Sequence, residues 1–279
     1  MNSSSERRRL VGVSTKMYFD FPKTLSYLQA TLKQLQPQID KLAHGTDVFM
    51  IPDFLTIVSV AQAIKEFNDK AEAGASRVPL LVGAQDTHHE DAGAFTGEIS
   101  PVVLSQAGVK LVEIGHAERR RYFGETDDWV IQKAKAILRN RMTPLICIGE
   151  QKREGGIDAA VEECWKQVSG VFEDTNVQDG SAEKELVLAY EPVWAIGASE
   201  PASADHVVAV TQKLREKCKA AGSSFKGSVR IVYGGSAGPG LFEKIQDGVD
   251  GLFLGRFAHD PERFVKTIIE VAGGLKSSC

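Results

Sequence analysis

The stretch that decides the fold is Leu186-Val187-Leu188-Ala189-Tyr190, with its counterpart Gly251-Leu252-Phe253-Leu254-Gly255 near the end of the chain. Each run is short and almost wholly apolar, without the alternation of a strand that has one wet face. Such runs are strands covered on both faces, as parallel sheets require. Working outward, similar runs recur at Val11–Thr15, Asp47–Ile51, Pro79–Gln85, Leu111–Gly115, Pro144–Gly149 and Val229–Tyr233, which brings the number to eight.

Stretches of helical period separate them. Leu25, Leu28, Leu32 and Leu35 form a stripe between Lys23 and Leu42, and Trp129, Val130, Ala134 and Ile137 form another between Asp127 and Arg139. Ala204–Lys219, Gly240–Gln246 and Pro261–Val271 repeat the pattern, the last with Asp260 as N-cap and Pro261 in the first turn. Eight strands alternating with helices in 279 residues predict an α/β protein, a single-domain (β/α)8 barrel. An open dinucleotide-binding sheet is disfavoured, because Val11-Gly12-Val13 runs into Ser14-Thr15-Lys16 and not into a glycine-rich turn. The expected boundaries are a polar lead-in at 1–10, the barrel at 11–272 and a tail at 273–279, with Asp174–Glu185 as one surface loop.

Composition narrows the function classes. With 43% hydrophobic and 25% charged residues, the chain has the make-up of an ordinary globular protein. Lys and Arg number 33 against 37 Asp and Glu, a net charge of -4, so the basic footprint of a nucleic-acid binder is missing and no nucleic-acid partner is expected. No apolar run approaches the ~18 residues that cross a bilayer, so no membrane partner is expected either. The opening MNSSSERRR lacks the apolar segment of a signal peptide, and Cys147, Cys164, Cys218 and Cys279 follow no metal-ligand spacing. These features predict reduced thiols in a cytoplasmic protein, with no metal site and with Cys147 as core. His44, His88, His89 and His206 read as surface residues.

In a barrel of this kind the chemistry lies where the strands end and the βα loops begin. Lys16 follows the first strand, His116, Glu118 and Arg119 the fourth, Glu191 the sixth, Gly234-Gly235-Ser236 the seventh, and Gly255-Arg256 the eighth. A cation, a histidine able to work neutral and a carboxylate thus share one mouth. Beside them stand two glycine turns whose free N–H groups suit a phosphate.

The strings GHAERRRYFGE (115–125), LICIGE (145–150), LAYEPVWAIG (188–197) and YGGS (233–236) resemble the triosephosphate isomerase family, and the resemblance runs from Val11 to Ile269. It implies the TIM-barrel fold and a 1,2-proton shift through an enediolate, with a small phosphorylated sugar as substrate and no cofactor. Glu191 would be the base, His116 the neutral electrophile, and Lys16 the fixed cation, with Glu118 close to the lysine. Gly197, Gly235, Ser236, Gly255 and Arg256 would contact the phosphate, and Pro192–Ser203 would be the lid. Gly93-Ala94-Phe95-Thr96-Gly97-Glu98 resembles the protruding loop by which family members form homodimers.

The sequence also departs from that pattern. Thr15 stands near the role of the family's asparagine, Ala117 replaces a serine, Ala198-Ser199-Glu200 alters the lid tip, and Arg256 replaces a second glycine. Thr15 and Ala117 are smaller than the residues they replace and are expected to add room at the reacting end. PASAD (201–205) and LGR (254–256) resemble a branch acting on tetrulose phosphates such as erythrulose phosphate. The expected reaction is interconversion of dihydroxyacetone phosphate and glyceraldehyde 3-phosphate. A tetrulose-phosphate isomerase is the rival reading, and a non-catalytic sugar-phosphate-binding paralogue the third.

Overall fold

The computed structural model describes residues 8–42, 45–70, 76–173, 184–196, 202–221, 225, 227–235 and 237–273. His44, Gly197, Ser236 and Cys279 lie outside the described residues, as do 198–201 of the expected lid. Eight parallel strands close on themselves in chain order: β1 (Arg9–Ser14), β2 (Thr46–Ile51), β3 (Leu80–Ala84), β4 (Leu111–Ile114), β5 (Thr143–Ile148), β6 (Lys184–Tyr190), β7 (Gly227–Tyr233) and β8 (Gly251–Leu254). Closure is made by β1, which pairs β2 on one side and β8 on the other. All eight expected strands are present, and the protein is a single-domain (β/α)8 barrel.

The helical stripes cover the outside of this barrel. Helix α1 (Phe21–Leu35) buries Leu28, Leu32 and Leu35. It ends with the leucine stripe at Leu35, short of the stretch expected to reach Leu42, because Pro37 turns the chain into a 3-10 segment at Gln36–Gln38, followed by the short α2 (Ile39–Leu42). Helices α3 (Ile57–Asp69) and α4 (Pro101–Gln106) follow β2 and β3. Next come α5 (Ala117–Phe123), α6 (Asp127–Arg139), α7 (Gly156–Lys166) and α8 (Ser169–Glu173). The set closes with α9 (Ala204–Ala220), α10 (Phe242–Ile245) and α11 (Pro261–Val271). Asp260 caps α11 as expected, accepting from the Arg263 N–H.

Two apolar layers result. One fills the space between strands and helices; the other fills the lumen with Leu10, Phe49, Ile51, Leu111, Leu145, Cys147, Val187, Ala189, Val232 and Phe253. The period-2 alternation of a strand sorts residues between the layers. Leu10 faces the lumen, while Val11 and Val13 face the helices. In β4, Leu111 faces inward and Val112 and Ile114 outward; in β6, Val187 and Ala189 face inward. That parity, carried one or two residues past the strand ends, decides which side chains enter the mouth.

Candidate active site

A cavity of about 520 Å³ opens at the C-terminal ends of the strands. Its lining brings together Lys16, His116, Glu118, Glu191, Gly235, Gly255 and Arg256 from the residues singled out in the sequence. Thr15 is not among them. It is fully buried with the outward parity of Val11 and Val13, and its hydroxyl faces the Ile51 and Lys16 carbonyls. Ser14, with the inward parity of Leu10 and Gly12, enters the cavity instead. Ala117 also lies off the main cavity, beside a cleft of about 10 Å³ shared with Cys147, Gly149 and Glu191, barely the size of one water. The expected enlargement at Thr15 and Ala117 is therefore not where the substrate space is.

Lys16 sits in the left-handed region at φ 47°, sparsely populated for a lysine. Its carbonyl accepts a 2.9 Å hydrogen bond from Gln85 Nε2, which holds the strained turn in place. The turn aims the ammonium inward. Lys16 Nζ lies 2.9 Å from Glu118 Oε1 and 3.3 Å from His116 Nε2. Burial pulls the lysine pKa down, but the Glu118 hydrogen bond and the charges of Glu118, Glu113 and Glu191 outweigh this and leave it raised.

His116 follows the outward parity of Ile114 by count, and Gly115 reverses this. At φ 69° Gly115 adopts a turn that glycine takes without strain, and it delivers His116 to the mouth as the N-cap of α5. His116 Nδ1 accepts the Glu118 N–H at 3.1 Å, so in the neutral ring the proton is on Nε2, the nitrogen facing the cavity. Burial, reinforced by the Lys16 charge, lowers its pKa to about 4. The imidazole is thus a neutral donor at physiological pH. Burial works the other way on Glu191, raising its carboxyl to about 7 against the opposing pull of Lys16. For Glu118 the burial penalty is overcome by its bond to Lys16, and its carboxyl is held low.

Two networks fix these groups from behind. Lys133, 1% exposed, bridges Asp86 and Glu125; Glu125 Oε2 accepts the Gly115 N–H at 3.1 Å, and Arg119 Nε lies 2.7 Å from Asp86. The second network centres on Glu150, also 1% exposed. It accepts from the Tyr190 hydroxyl and from Trp194 Nε1 at 2.7 Å, and lies 3.0 Å from His206 Nε2. It clamps the turn that leaves Glu191. The expectation that His206 is a mere surface residue therefore fails, as does that for His88, which is 5% exposed and packs at a tilt against Phe95. Gly149 makes room for this turn, since a Cβ there would lie 1.9 Å from the Glu191 carbonyl.

Gly234, Gly235, Gly238 and Gly255 border the opposite wall, at the ends of β7 and β8. Arg256 is exposed at the rim, its guanidinium 5.9 Å from the Tyr18 ring. A residue not anticipated from the sequence is Glu113, which lines the cavity at 4% exposure. It shares the inward parity of Leu111, and that single acid in the apolar run Leu111–Ile114 was the available signal. Cys147 lies in the lumen core, as expected. Among the described residues, no group of three His, Cys, Asp or Glu side chains is disposed to hold a metal ion, and no helix is long and apolar enough to cross a membrane.

Fold and family resemblance together define an isomerase built on a (β/α)8 barrel, with Glu191, a neutral His116 and Lys16 on one rim. The family model for triosephosphate isomerase matches residues 9–272, and the chain belongs to that family. It is 42% identical to the L-erythrulose-1-phosphate isomerase of Pectobacterium atrosepticum, over 98% of this chain and 99% of the relative. Identity is 38% to the L-erythrulose-1-phosphate isomerase of Rhizobium etli, over 96% of this chain and 94% of the relative. It is also 38% to the triosephosphate isomerase of Pediococcus pentosaceus, but over 78% of this chain and 87% of the relative.

Proposed function

We propose that the protein isomerises a four-carbon ketose phosphate of the erythrulose 1-phosphate type. The observation that carries this reading is its 42% identity, end to end, to an L-erythrulose-1-phosphate isomerase, ahead of relatives named for the triose reaction. It favours the tetrulose reading over the triose reading that the site motifs suggest first.

The chemistry follows from the substrate's connectivity. Carbon 1 of a ketose 1-phosphate carries the phosphate ester and no free hydroxyl, so the carbonyl at carbon 2 can exchange only with the hydroxyl at carbon 3. Glu191 removes the proton from carbon 3, leaving an enediolate across carbons 2 and 3, and returns a proton to carbon 2. His116 Nε2–H donates to the developing oxyanion and moves the proton between the two oxygens. Lys16 stabilises the negative charge, and Glu118 holds Lys16. The N–H groups of Gly235 and Gly255 take the phosphate, with Arg256 at the rim and with Gly197 and Ser236 as further contacts. The product is a ketose that carries its phosphate on the far end, and every atom is conserved without a cofactor or metal.

Dimerisation through the Gly93–Glu98 loop belongs to the same reading. Met17, Leu55 and Phe95, on the loops after β1, β2 and β3, are 96%, 87% and 43% exposed. Apolar side chains displayed on three adjacent loops are suited to burial against a second copy. A cytoplasmic setting is consistent with the buried free thiols Cys147, Cys164 and Cys218. The test is incubation with L-erythrulose 1-phosphate in D2O, followed by NMR. A new ketose phosphate carrying deuterium at the carbon beside its carbonyl supports the proposal; an unaltered substrate refutes it.

A further inference from the structure

The proton shift uses Lys16, His116 and Glu191, yet the cavity holds polar groups beyond them. Glu113 and Ser14 are 4% and 2% exposed, and both line the cavity where it meets the apolar lumen core of Leu10, Leu111, Cys147 and Phe253. Ser14 Oγ pairs with the Glu113 side chain and has no other hydrogen-bond partner among the described residues. A hydroxyl and a carboxyl buried with only each other leave donor and acceptor capacity unused, which is costly away from water and points to a further polar group at this end of the cavity.

Position indicates what that group is. The phosphate end of the substrate belongs to the glycine turns of β7 and β8, and the reacting carbons belong between His116 and Glu191. What remains is the carbon beyond them, on the inward-facing residues of β1 and β4. A three-carbon substrate ends at the reacting carbon, whereas a four-carbon ketose phosphate continues with a hydroxymethyl group. We propose that Ser14 and Glu113 form a hydroxyl-binding subsite that reads this hydroxymethyl group and sets selection for four-carbon over three-carbon ketose phosphates. The inference rests on the four-carbon reading above and names the residues that enforce it.

The protonation of Glu113 fits the task. Burial raises its carboxyl to about 8, against the charge of Lys16 and the hydrogen bond from the Ser14 hydroxyl, while the charges of Glu191 and Glu118 add to the rise. Near neutral pH it therefore keeps its proton, with one oxygen donating and the other accepting. Ser14 adds a second donor–acceptor, and the two together can satisfy a substrate hydroxyl in both directions. A site built to bind a hydroxyl discriminates against analogues lacking it far more strongly than an apolar pocket does.

The test compares kcat/KM for L-erythrulose 1-phosphate and dihydroxyacetone phosphate in wild type, Ser14→Ala, Glu113→Leu and Glu113→Gln. Removing a polar partner of a buried hydroxyl should lower the four-carbon to three-carbon ratio about 10- to 100-fold in Glu113→Leu, mainly through KM. Ser14→Ala should lower the ratio several-fold. Glu113→Gln, which keeps a donor and an acceptor, should restore most of it. A structural role would depress both substrates in parallel. Ratios within about threefold of wild type in Ser14→Ala and in the folded Glu113 variants overturn the subsite while leaving the four-carbon reading standing. Should Glu113→Leu fail to fold, Ser14→Ala decides the matter. A wild-type enzyme that turns over the triose but not the tetrulose overturns both.

Discussion

His116 Nε2 and Glu191 Oε2 face each other across the cavity at 3.8 Å, with Lys16 Nζ 3.3 Å from the same ring nitrogen. The gap is too long for a hydrogen bond between ring and carboxyl. The imidazole keeps its donor and the carboxylate its lone pairs, both turned on a space where a carbonyl and a C–H bond fit side by side. Burial drives the two pKa values in opposite directions, to about 4 and about 7. This separation equips one site with a neutral acid and a base at the same pH.

Glu191→Gln keeps the shape of the side chain proposed as the base and removes its ability to take a proton. The variant should lose about 10²- to 10⁴-fold in kcat while KM changes only several-fold. Steady-state rates of wild type and variant on the same substrate check this. A loss smaller than tenfold would contradict the assignment.

The pH profile follows from the same groups. Below about 7 Glu191 is protonated and cannot accept a proton, so kcat/KM should fall on the acid side of that value. His116 stays neutral down to about 4 and adds no second acid limb above pH 5. Lys16 pulls the Glu191 pKa down, so Lys16→Met should slow the reaction and shift the acid limb upward. An unshifted limb in a slow variant would separate the lysine from the base.

Lys133 joins Asp86 and Glu125 behind the His116 turn, with all three nearly excluded from solvent. Lys133→Met leaves two carboxylates buried with only Arg119 for compensation, and should destabilise the protein by ~3–5 kcal/mol. Denaturant unfolding measures the loss. A change below ~1 kcal/mol would mean that Arg119 alone neutralises the site.

Much of this site is legible in the sequence, and the parts that are not have a physical reason. Apolar runs such as Leu186–Tyr190 locate every strand, because burial on both faces leaves no other composition open to them. Strand ends then locate Lys16, His116, Glu191 and the glycine turns. Thr15 misled because adjacency to Lys16 in the chain is not adjacency in the cavity; strand parity gives that place to Ser14. Glu113 was missed because a single acid within an apolar run carries no motif, and His206 because its partner Glu150 lies 56 residues away. The room expected at Thr15 and Ala117 was read from side-chain size alone, and size says nothing about which way a side chain faces.

Phe95 packs on His88 with ring centroids 4.2 Å apart, so the Gly93–Glu98 loop is braced while Phe95 remains exposed. If this loop docks on a second copy, wild type should sediment at twice the 30.3 kDa chain mass. Phe95→Glu should then shift the species toward monomer and lower turnover. An active wild-type monomer at micromolar concentration would remove the dimer from the account.

The central claim is the four-carbon substrate, and its most direct measurement is kcat/KM for L-erythrulose 1-phosphate against dihydroxyacetone phosphate on one preparation of the wild-type enzyme. Both substrates meet the same Lys16, His116 and Glu191, so any difference reports how the remaining carbon is received. The account predicts a ratio above ten in favour of the tetrulose, with measurable turnover of the triose. A ratio below one would return the enzyme to the triose reaction, and turnover of neither would make it a binding protein that kept the residues of a catalyst.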